Sequence, residues 1–196
     1  MFILTDKGTV AQIDLFEDCK ETLLTTQAED VVLAEISKSG EGHLVGITLG
    51  GTFVDLTTNE TLTLLSECTW TSIAPMSTSI LVSGWNSTKK VHIVQVLTLS
   101  PQARLLQACQ YSVATANFPS FHLVALPDRP LLLSSRLYSV LDVLHYNKNN
   151  HKVSLLASRT IRDLPASPDS LLYSLTLIAP KKLFLGLRGA ISELSF

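Results

Sequence analysis

The sequence predicts an all-β fold, and three observations support that prediction. Of the 196 residues, 46% are apolar and 16% are charged. The apolar residues occur in short runs rich in Leu, Val, Ile, Ser and Thr, and Gly, Pro, Asn and Asp separate the runs. This punctuation is typical of strands joined by turns. A turn followed by an alternating strand also returns five times, and we expect one domain over residues 1–196.

The recurrence has a nearly constant spacing. Stretches such as "TDKGTVAQIDL" and "ITLGGTFVDL" each contain a turn and then an alternating strand that reaches a polar residue. Consecutive polar positions are separated by 41, 40, 47 and 51 residues, and they are Asp14, Asp55, Gln95, Asp142 and Glu193. A four-stranded propeller blade of the WD-repeat kind spans about 40–45 residues and closes its third strand near a Trp-Asp pair. The sequence therefore predicts a WD-repeat-like β-propeller of about five blade units with a degenerate Trp-Asp pair.

The flanking strands define each unit. An apolar second strand precedes every turn, at residues 2–4, 44–48, 80–83, 131–134 and 183–185. First strands precede four of these, as "VVLAEIS", "WTSIAP", "FHLVAL" and "SLTLIA", and fourth strands follow four of the third strands, as "ETLLTT", "TLTLLS", "ARLLQA" and "KVSLLA". The first unit thus lacks a first strand and the last lacks a fourth. We expect an irregular small propeller, a ring segment, or a fragment of a longer chain.

Two alternatives compete with parts of this interpretation. The same short strands could build a β-sandwich, although the regular four-strand spacing argues against it. A helix could occupy residues 101–118, because "SPQARLLQACQY" offers Ser100 as a cap and Pro101 at the first helical position. Leu105, Leu106 and Cys109 would then share one face of that helix.

No catalytic constellation is present, so we predict a protein that is not an enzyme and needs no cofactor or metal. The nucleophile-elbow, phosphate-loop, zinc-protease and dinucleotide signatures are absent. The five histidines are scattered, and Cys19, Cys68 and Cys109 lack metal-ligand spacing. We predict that the recurring carboxylates hold turns through hydrogen bonds. An enzyme with a site at the central opening stays open as an alternative.

The net charge and the hydropathy pattern limit the classes of partner that we expect. The net charge is −2, and the dense lysine pairs, Lys89–Lys90 and Lys181–Lys182, lie in predicted turns, so nucleic acid is not the expected partner. No run approaches the roughly 18 apolar residues of a membrane span, and the N-terminus has no signal-peptide pattern. We expect an intracellular protein. Its charged share is below the usual figure of about 25%, which suggests that a partner covers part of the surface.

Three residues on equivalent predicted turns are candidates for binding such a partner. Trp85 follows the second strand of its blade, and Arg136 and Arg188 occupy the matching turn in later blades. Exposed aromatic residues are common interface anchors, and arginine grips carboxylates and phosphates with two parallel hydrogen bonds. These residues suit a peptide with acidic or phosphorylated groups. The competing interpretation is that Trp85 packs against the adjacent blade and that the arginines are solvated loop charges.

Residues 80–196 resemble one branch of WD-repeat proteins, the mitotic-checkpoint propellers that pair with the Bub and Mad kinases and adaptors, together with their mRNA-export relatives of the Rae type. "ILVSGWNSTKKVHIVQV" is similar to the G-S-W-D turn and strand of that family, with Asn86 in place of Asp. "SRTIRDLP" is similar to its Q-T-R-x-I-R-x-x-P stretch, and the matching positions are Arg159, Ile161, Arg162 and Pro165. In "LFLGLRGAISEL", Glu193 matches a family Glu.

The resemblance implies a non-enzymatic scaffold whose rim binds a motif of a checkpoint kinase or a phosphorylated kinetochore peptide. It adds Arg159 to the candidate contacts and implies a location at the nucleus and kinetochore or in the cytoplasm. The alternative is a propeller subunit of another assembly, such as the mRNA-export and nuclear-pore machinery, a vesicle coat or a ubiquitin-ligase adaptor.

Overall fold

In the described part of the chain, all regular secondary structure consists of antiparallel β-strands. The computed structural model describes residues 2–4, 10–14, 20–24, 33–48, 50–76, 78–99, 103–111, 120–126, 131–136, 140–160, 172–179, 182–187 and 190–195. Within these ranges, no helix is long and apolar enough to cross a bilayer.

The strands form five sheets in chain order, which we call blades 1 to 5. Blade 1 contains β1 (Phe2–Leu4), β2 (Val10–Asp14) and β3 (Lys20–Leu24). Blade 2 contains β4 (Leu33–Lys38), β5 (Leu44–Thr48), β6 (Thr52–Asp55) and β7 (Glu60–Thr63). Blade 3 contains β8 (Thr69–Met76), β9 (Ser79–Asn86), β10 (Val91–Thr98) and β11 (Arg104–Tyr111). Blade 4 contains β12 (Ser120–Ala125), β13 (Leu131–Arg136), β14 (Val140–Asn147) and β15 (Lys152–Thr160). Blade 5 contains β16 (Leu172–Ala179), β17 (Lys182–Leu187) and β18 (Ala190–Ser195).

This arrangement confirms the predicted all-β propeller of about five units, and within the described residues the first and last blades have three strands each. Each strand pairs with its sequence neighbours, so every blade is an up-and-down meander. The first strands of successive four-stranded blades contact one another, β4 with β8 and β8 with β12, and β12 in turn contacts β16. Five small sheets gathered in this way are not a two-sheet sandwich, and that alternative is wrong.

The alternative of a helix within 101–118 is also wrong for the described residues of that range, because β11 runs through them and pairs with β10. Its helix-like spacing comes from a bulge. Val96 faces Gln107 and Leu97 faces Leu105, which leaves Leu106 as an extra residue. The bulge interrupts strict alternation, and Leu106 and Cys109, three residues apart, both lie against the core shared with blade 4.

Blade 3 is covered on both faces, and its central strand β9 is buried along its whole length. Ile80 and Val82 of β9 belong to the cluster shared with blade 2, whereas Leu81 belongs to the cluster shared with blade 4. The period-2 geometry of a strand thus sends alternate side chains into two different cores. Apolar burial of this kind contributes about 25 cal/mol per Å², so face-to-face packing stabilises the stack of blades.

Trp70 of blade 3 packs against one glycine of blade 2 and one glycine of its own blade. Its buried indole lies against Gly51 of the β5–β6 turn and Gly84 of β9. A Cβ atom would lie 3.3 Å from Trp70 Cδ1 at Gly51 and 2.8 Å from Trp70 Cε3 at Gly84. Gly51 also has a φ of 81°, a conformation that side chains other than glycine rarely adopt. Both glycines are therefore needed for the close approach of the indole to backbone.

Polar side chains add direct links between blades. The amide of Leu123 on β12 donates to Ser72 Oγ on β8 at 2.9 Å. Ser79 Oγ and the Tyr146 hydroxyl share a hydrogen bond of 3.1 Å across the interface between blades 3 and 4. Both bonds are buried, and a buried polar group left without its partner costs about 1–3 kcal/mol. These bonds consequently favour one relative placement of the blades.

We predict that Gly84→Ala lowers the free energy of unfolding by about 1–3 kcal/mol, because the new methyl group would overlap the Trp70 ring and force it to shift. Gly50→Ala is the matched control, since its Cβ would lie 3.7 Å from Thr48 Oγ1, an ordinary contact distance. Chemical denaturation of both variants measures the difference. Equal midpoints and slopes for the two variants would contradict the described packing of Trp70.

Candidate partner-binding site

The strand directions place the candidate contact residues at one end of the propeller. We call this end the rim. It consists of the turns 50–51 and 87–90, the connection 64–68, and the last residues of β13 and β15. Arg136 ends β13 opposite Val140, and Val140 also pairs with Thr160 of β15, next to Arg159. Trp85 lies next to the end of β9. The fold thus brings three of the predicted residues to the same end.

Trp85 is not on an exposed turn, and that expectation is wrong. Strand β9 continues through Asn86, and Trp85 pairs with Thr69 on one side and His92 on the other. Its side chain is 5% exposed, and its ring lies 4.7 Å from the buried His92 ring, centroid to centroid. The interpretation of Trp85 as an interior residue agrees with this burial. Trp85 therefore has no open face on which a peptide could bind.

The three arginines differ in what the structure describes. Arg159 is exposed, and its Nη1 atom donates to the carbonyl oxygen of Ser158 at 3.2 Å. A guanidinium has five N–H donors, so most of those on Arg159 stay accessible to a ligand. The backbone of Arg136 is at the rim, and Arg188 lies outside the described residues. Ile161, Arg162 and Pro165, which the resemblance also matched, lie outside them too.

Asn86, which matches the aspartate of the G-S-W-D turn described above, holds the rim turn of blade 3. Its Oδ1 atom accepts from the amide of Lys89 at 2.8 Å, and its Nδ2 atom donates to Glu67 Oε2 at 3.1 Å. Lys89 Nζ lies 3.0 Å from the same Glu67 oxygen. The hydrogen bonds from Lys89 and then Asn86 lower the pKa of Glu67. An amide thus replaces the carboxylate in the turn without loss of the hydrogen bond to the backbone.

Leu65 is a rim residue that the sequence analysis missed. Its side chain is 41% exposed, yet its backbone is held at both polar groups. Its amide donates to Gln95 Oε1 at 3.3 Å, and its carbonyl accepts from Trp70 Nε1 at 3.2 Å. Because both partners are buried side chains of blade 3, Leu65 is a preorganised apolar contact. The available signal was the pair Leu64–Leu65, in which only the first can enter the core.

Asp55 has the turn-holding role that the sequence predicted for the recurring carboxylates, and Gln95 and Asp142 are also held by hydrogen bonds. Asp55 is buried and its Oδ1 atom accepts from the amides of Thr57 at 2.9 Å and Thr58 at 3.4 Å. Gln95 binds Leu65 as described above, and Asp142 Oδ1 accepts from Ser158 Oγ on the next strand at 2.7 Å. Each of these three residues is therefore engaged in holding its own blade or a neighbouring connection.

At the end opposite the rim, Asp55 also forms an ion pair with His43, whose Nδ1 atom lies 2.6 Å from Asp55 Oδ2. The hydrogen bond to Asp55 raises the pKa of His43 above its ordinary value of 6.5, against the opposing effect of partial burial. Burial by itself would raise the pKa of Asp55, but the hydrogen bonds from His43 and from Thr57 outweigh it and lower that pKa. The pair ties the β4–β5 turn to the end of β6.

The described ranges contain no group of three or more His, Cys, Asp or Glu side chains placed to hold a metal ion. What the rim offers is an exposed arginine, an exposed leucine with a fixed backbone, and lysines on a rigid turn. Such groups bind ligands by charge and apolar contact.

Comparisons with known proteins agree with the fold. One solved structure, the β-propeller domain of Cps50 (Swd1) from Myceliophteria thermophila, matches 97% of this chain with a TM-score of 0.61 and 16% sequence identity. The chain spans 64% of the length of that domain. No protein-family model matches the sequence, and no curated protein does. The chain is thus a β-propeller, and its resemblance to the Bub and Rae branch stays a prediction.

The His43–Asp55 pair predicts how stability depends on pH. Because the pKa of His43 is raised in the folded state, folding binds protons in that range, and stability falls as the pH rises from about 6.5 through the folded pKa. On the acid side, the lowered pKa of Asp55 means that stability is lost as the pH falls below about 3.9. Urea unfolding of His43→Gln across pH 6–8 should show a shallower decline than the native protein. An unchanged decline would exclude His43 as its source.

Proposed function

We propose that this chain is a non-enzymatic, WD-repeat-like scaffold that binds a peptide segment of a partner protein at the rim. The observation that carries the proposal is the exposed guanidinium of Arg159 at the rim, which makes its described hydrogen bond to the backbone of its own strand. The buried acidic side chains of blades 2 and 4, by contrast, are engaged in structural hydrogen bonds. The side chain that a ligand can reach is therefore one that binds ligands, and the buried acids serve the fold.

The partner segment that fits the rim carries an acidic or phosphorylated group and an apolar side chain. Arg159 can bind a carboxylate or phosphate with two parallel hydrogen bonds. Leu65 supplies apolar surface at little entropic cost, because Gln95 and Trp70 already hold its backbone. Arg136 and Arg188 are further candidate contacts, Arg136 from the end of β13 and Arg188 from the equivalent predicted turn.

The biological setting that we propose is the spindle-assembly checkpoint at kinetochores, with a checkpoint-kinase motif or a phosphorylated kinetochore peptide as the ligand. The resemblance of "SRTIRDLP" and "ILVSGWNSTKKVHIVQV" to the Bub and Rae branch supports it. In that setting the protein acts in the nucleus or cytoplasm. Affinity purification from the native cell tests it, since checkpoint kinases should be recovered. Recovery of nuclear-pore, coat or ubiquitin-ligase subunits instead would contradict the checkpoint role and leave the scaffold role standing.

We predict that Arg159→Ala weakens binding of the purified partner segment about 30-fold, because removing an interface hot spot costs about 2 kcal/mol or more. The loss should shrink as the salt concentration rises. Lys38→Ala is the control, because Lys38 is an exposed cation at the end of β4 opposite the rim. Isothermal titration calorimetry measures both variants. If Arg159→Ala and Lys38→Ala bind as the native protein does, the rim is not the binding surface.

A further inference from the structure

The charges of this nearly neutral chain are strongly partitioned. Residues 1–67 contain twelve Asp and Glu but three Lys and Arg, whereas residues 68–162 contain nine Lys and Arg but two Asp. The second segment spans blades 3 and 4. A separation of this size creates a positive field over one part of a propeller whose net charge is only −2.

In residues 68–162 the described positive side chains with known exposure are exposed, whereas the described negative side chain is buried. Within the described part of residues 68–162, the single carboxylate, Asp142, is buried and bonded to Ser158. Six cations are exposed there, namely Lys89, Lys90, Arg104, Lys148, Lys152 and Arg159. Two acids of the preceding blade approach the blade 3 side, because Glu67 pairs with Lys89 and Glu60 accepts from the amide of Ala103 beside Arg104.

The positive charges at the outer edge of blade 4 are therefore the ones least neutralised by nearby carboxylates. Lys148 lies in the turn before β15, Lys152 begins that strand, and Arg159 lies near its end. No described carboxylate forms an ion pair with any of the three. From Lys152 to Arg159 the strand covers about 23 Å at 3.3 Å per residue. The cations thus follow the length of an outermost strand.

Leu156 interrupts this charged edge with apolar surface. Its side chain is 59% exposed, and it is the extra residue of a bulge, since Val143 faces Ala157 and Leu144 faces Leu155. Leu155, by contrast, packs against the core. Bulges re-aim side chains and also break the regular row of edge groups that an added strand would need. The edge is consequently suited to contact through side chains.

We call this surface the basic strip, made of Lys148, Lys152, Leu156 and Arg159. By the pairing register with β14, Lys152 and Arg159 lie on the same face of β15, opposite the face whose Val153 and Leu155 pack against blade 3. The basic strip and the rim are different surfaces that share one residue, Arg159.

We propose that the basic strip docks an acidic segment of a partner protein, with an aliphatic side chain of that segment seated on Leu156. Charge complementarity selects an acidic ligand, and the exposed leucine selects a protein over a nucleic acid, which would gain more from aromatic stacking. This inference rests on the proposed scaffold role, but it names a second surface and the chemistry of its ligand. A partner held at the rim would extend along β15 to reach it.

The probe is a fluorescent twelve-residue peptide with glutamates on both sides of a central Leu-Leu pair, titrated by fluorescence anisotropy at low salt. We expect the double variant K148E/K152E to weaken binding at least tenfold and Leu156→Ser at least threefold. Lys38→Glu and Leu105→Ser are the matched controls, because Lys38 lies on blade 2 and Leu105 is an exposed leucine of β11 that belongs to neither the rim nor the basic strip. Both should bind within twofold of the native protein. A peptide with Ser-Ser at its centre should bind more weakly and should no longer respond to Leu156→Ser. Thermal unfolding of each variant checks that it is folded.

Three outcomes would overturn the proposal. The first is equal binding of the peptide by K148E/K152E and the native protein. The second is tighter binding of a twelve-nucleotide single-stranded DNA that ignores Leu156→Ser, which would make the strip a general anion surface. The third is salt-sensitive self-association of the native protein, abolished by K148E/K152E in sedimentation experiments, which would assign the strip to a second copy. Both lysines are distant from the rim, so these failures are distinguishable from loss of partner binding by Arg159→Ala.

Discussion

The contact of Trp70 with Gly51 and Gly84 is the interaction on which the rest of the described structure depends. The indole starts in blade 3, reaches the β5–β6 turn of blade 2 and covers β9 of its own blade. Its Nε1 atom also fixes the carbonyl of Leu65. One side chain therefore joins two blades and shapes the rim, because glycine permits the ring to approach the backbone at both positions.

Packing between blades also explains the composition. Blade 3 contributes to the clusters on both of its sides, so its inner strand β9 has no solvent-facing side. Even its polar residues Ser79, Ser83 and Asn86 are buried. The two clusters account for part of the 46% apolar content. In the described ranges the large apolar side chains that stay exposed are Leu65, Leu105, Leu156 and Phe184. Two of them, Leu65 and Leu156, lie on the surfaces that we propose for partners.

The regular spacing of the repeat allowed the fold to be predicted from the sequence. The packing of strands on both faces, however, limited the prediction of the site. Buried Asp55, Gln95 and Asp142 lie at equivalent places of blades 2, 3 and 4 and are each held by hydrogen bonds, and their spacing revealed the units. Trp85 was mistaken for a turn residue because a strand covered on both faces shows no alternation. The bulge at Leu106 imitated a helical period. The pair Leu64–Leu65 hinted at the exposed side chain of Leu65, but its fixed backbone could not be predicted, because that depends on Gln95, thirty residues away.

Nuclear magnetic resonance tests the central claim, that Trp70 packs blade 2 against blade 3, most directly. The account predicts nuclear Overhauser effects from the Trp70 indole protons to the α-protons of both Gly84 and Gly51. It also predicts ring-current shifts of α-protons at both glycines, which should disappear in Trp70→Leu. Effects at Gly84, within the same blade, with none at Gly51 in the neighbouring blade would show that blades 2 and 3 do not pack as described, and would contradict the account.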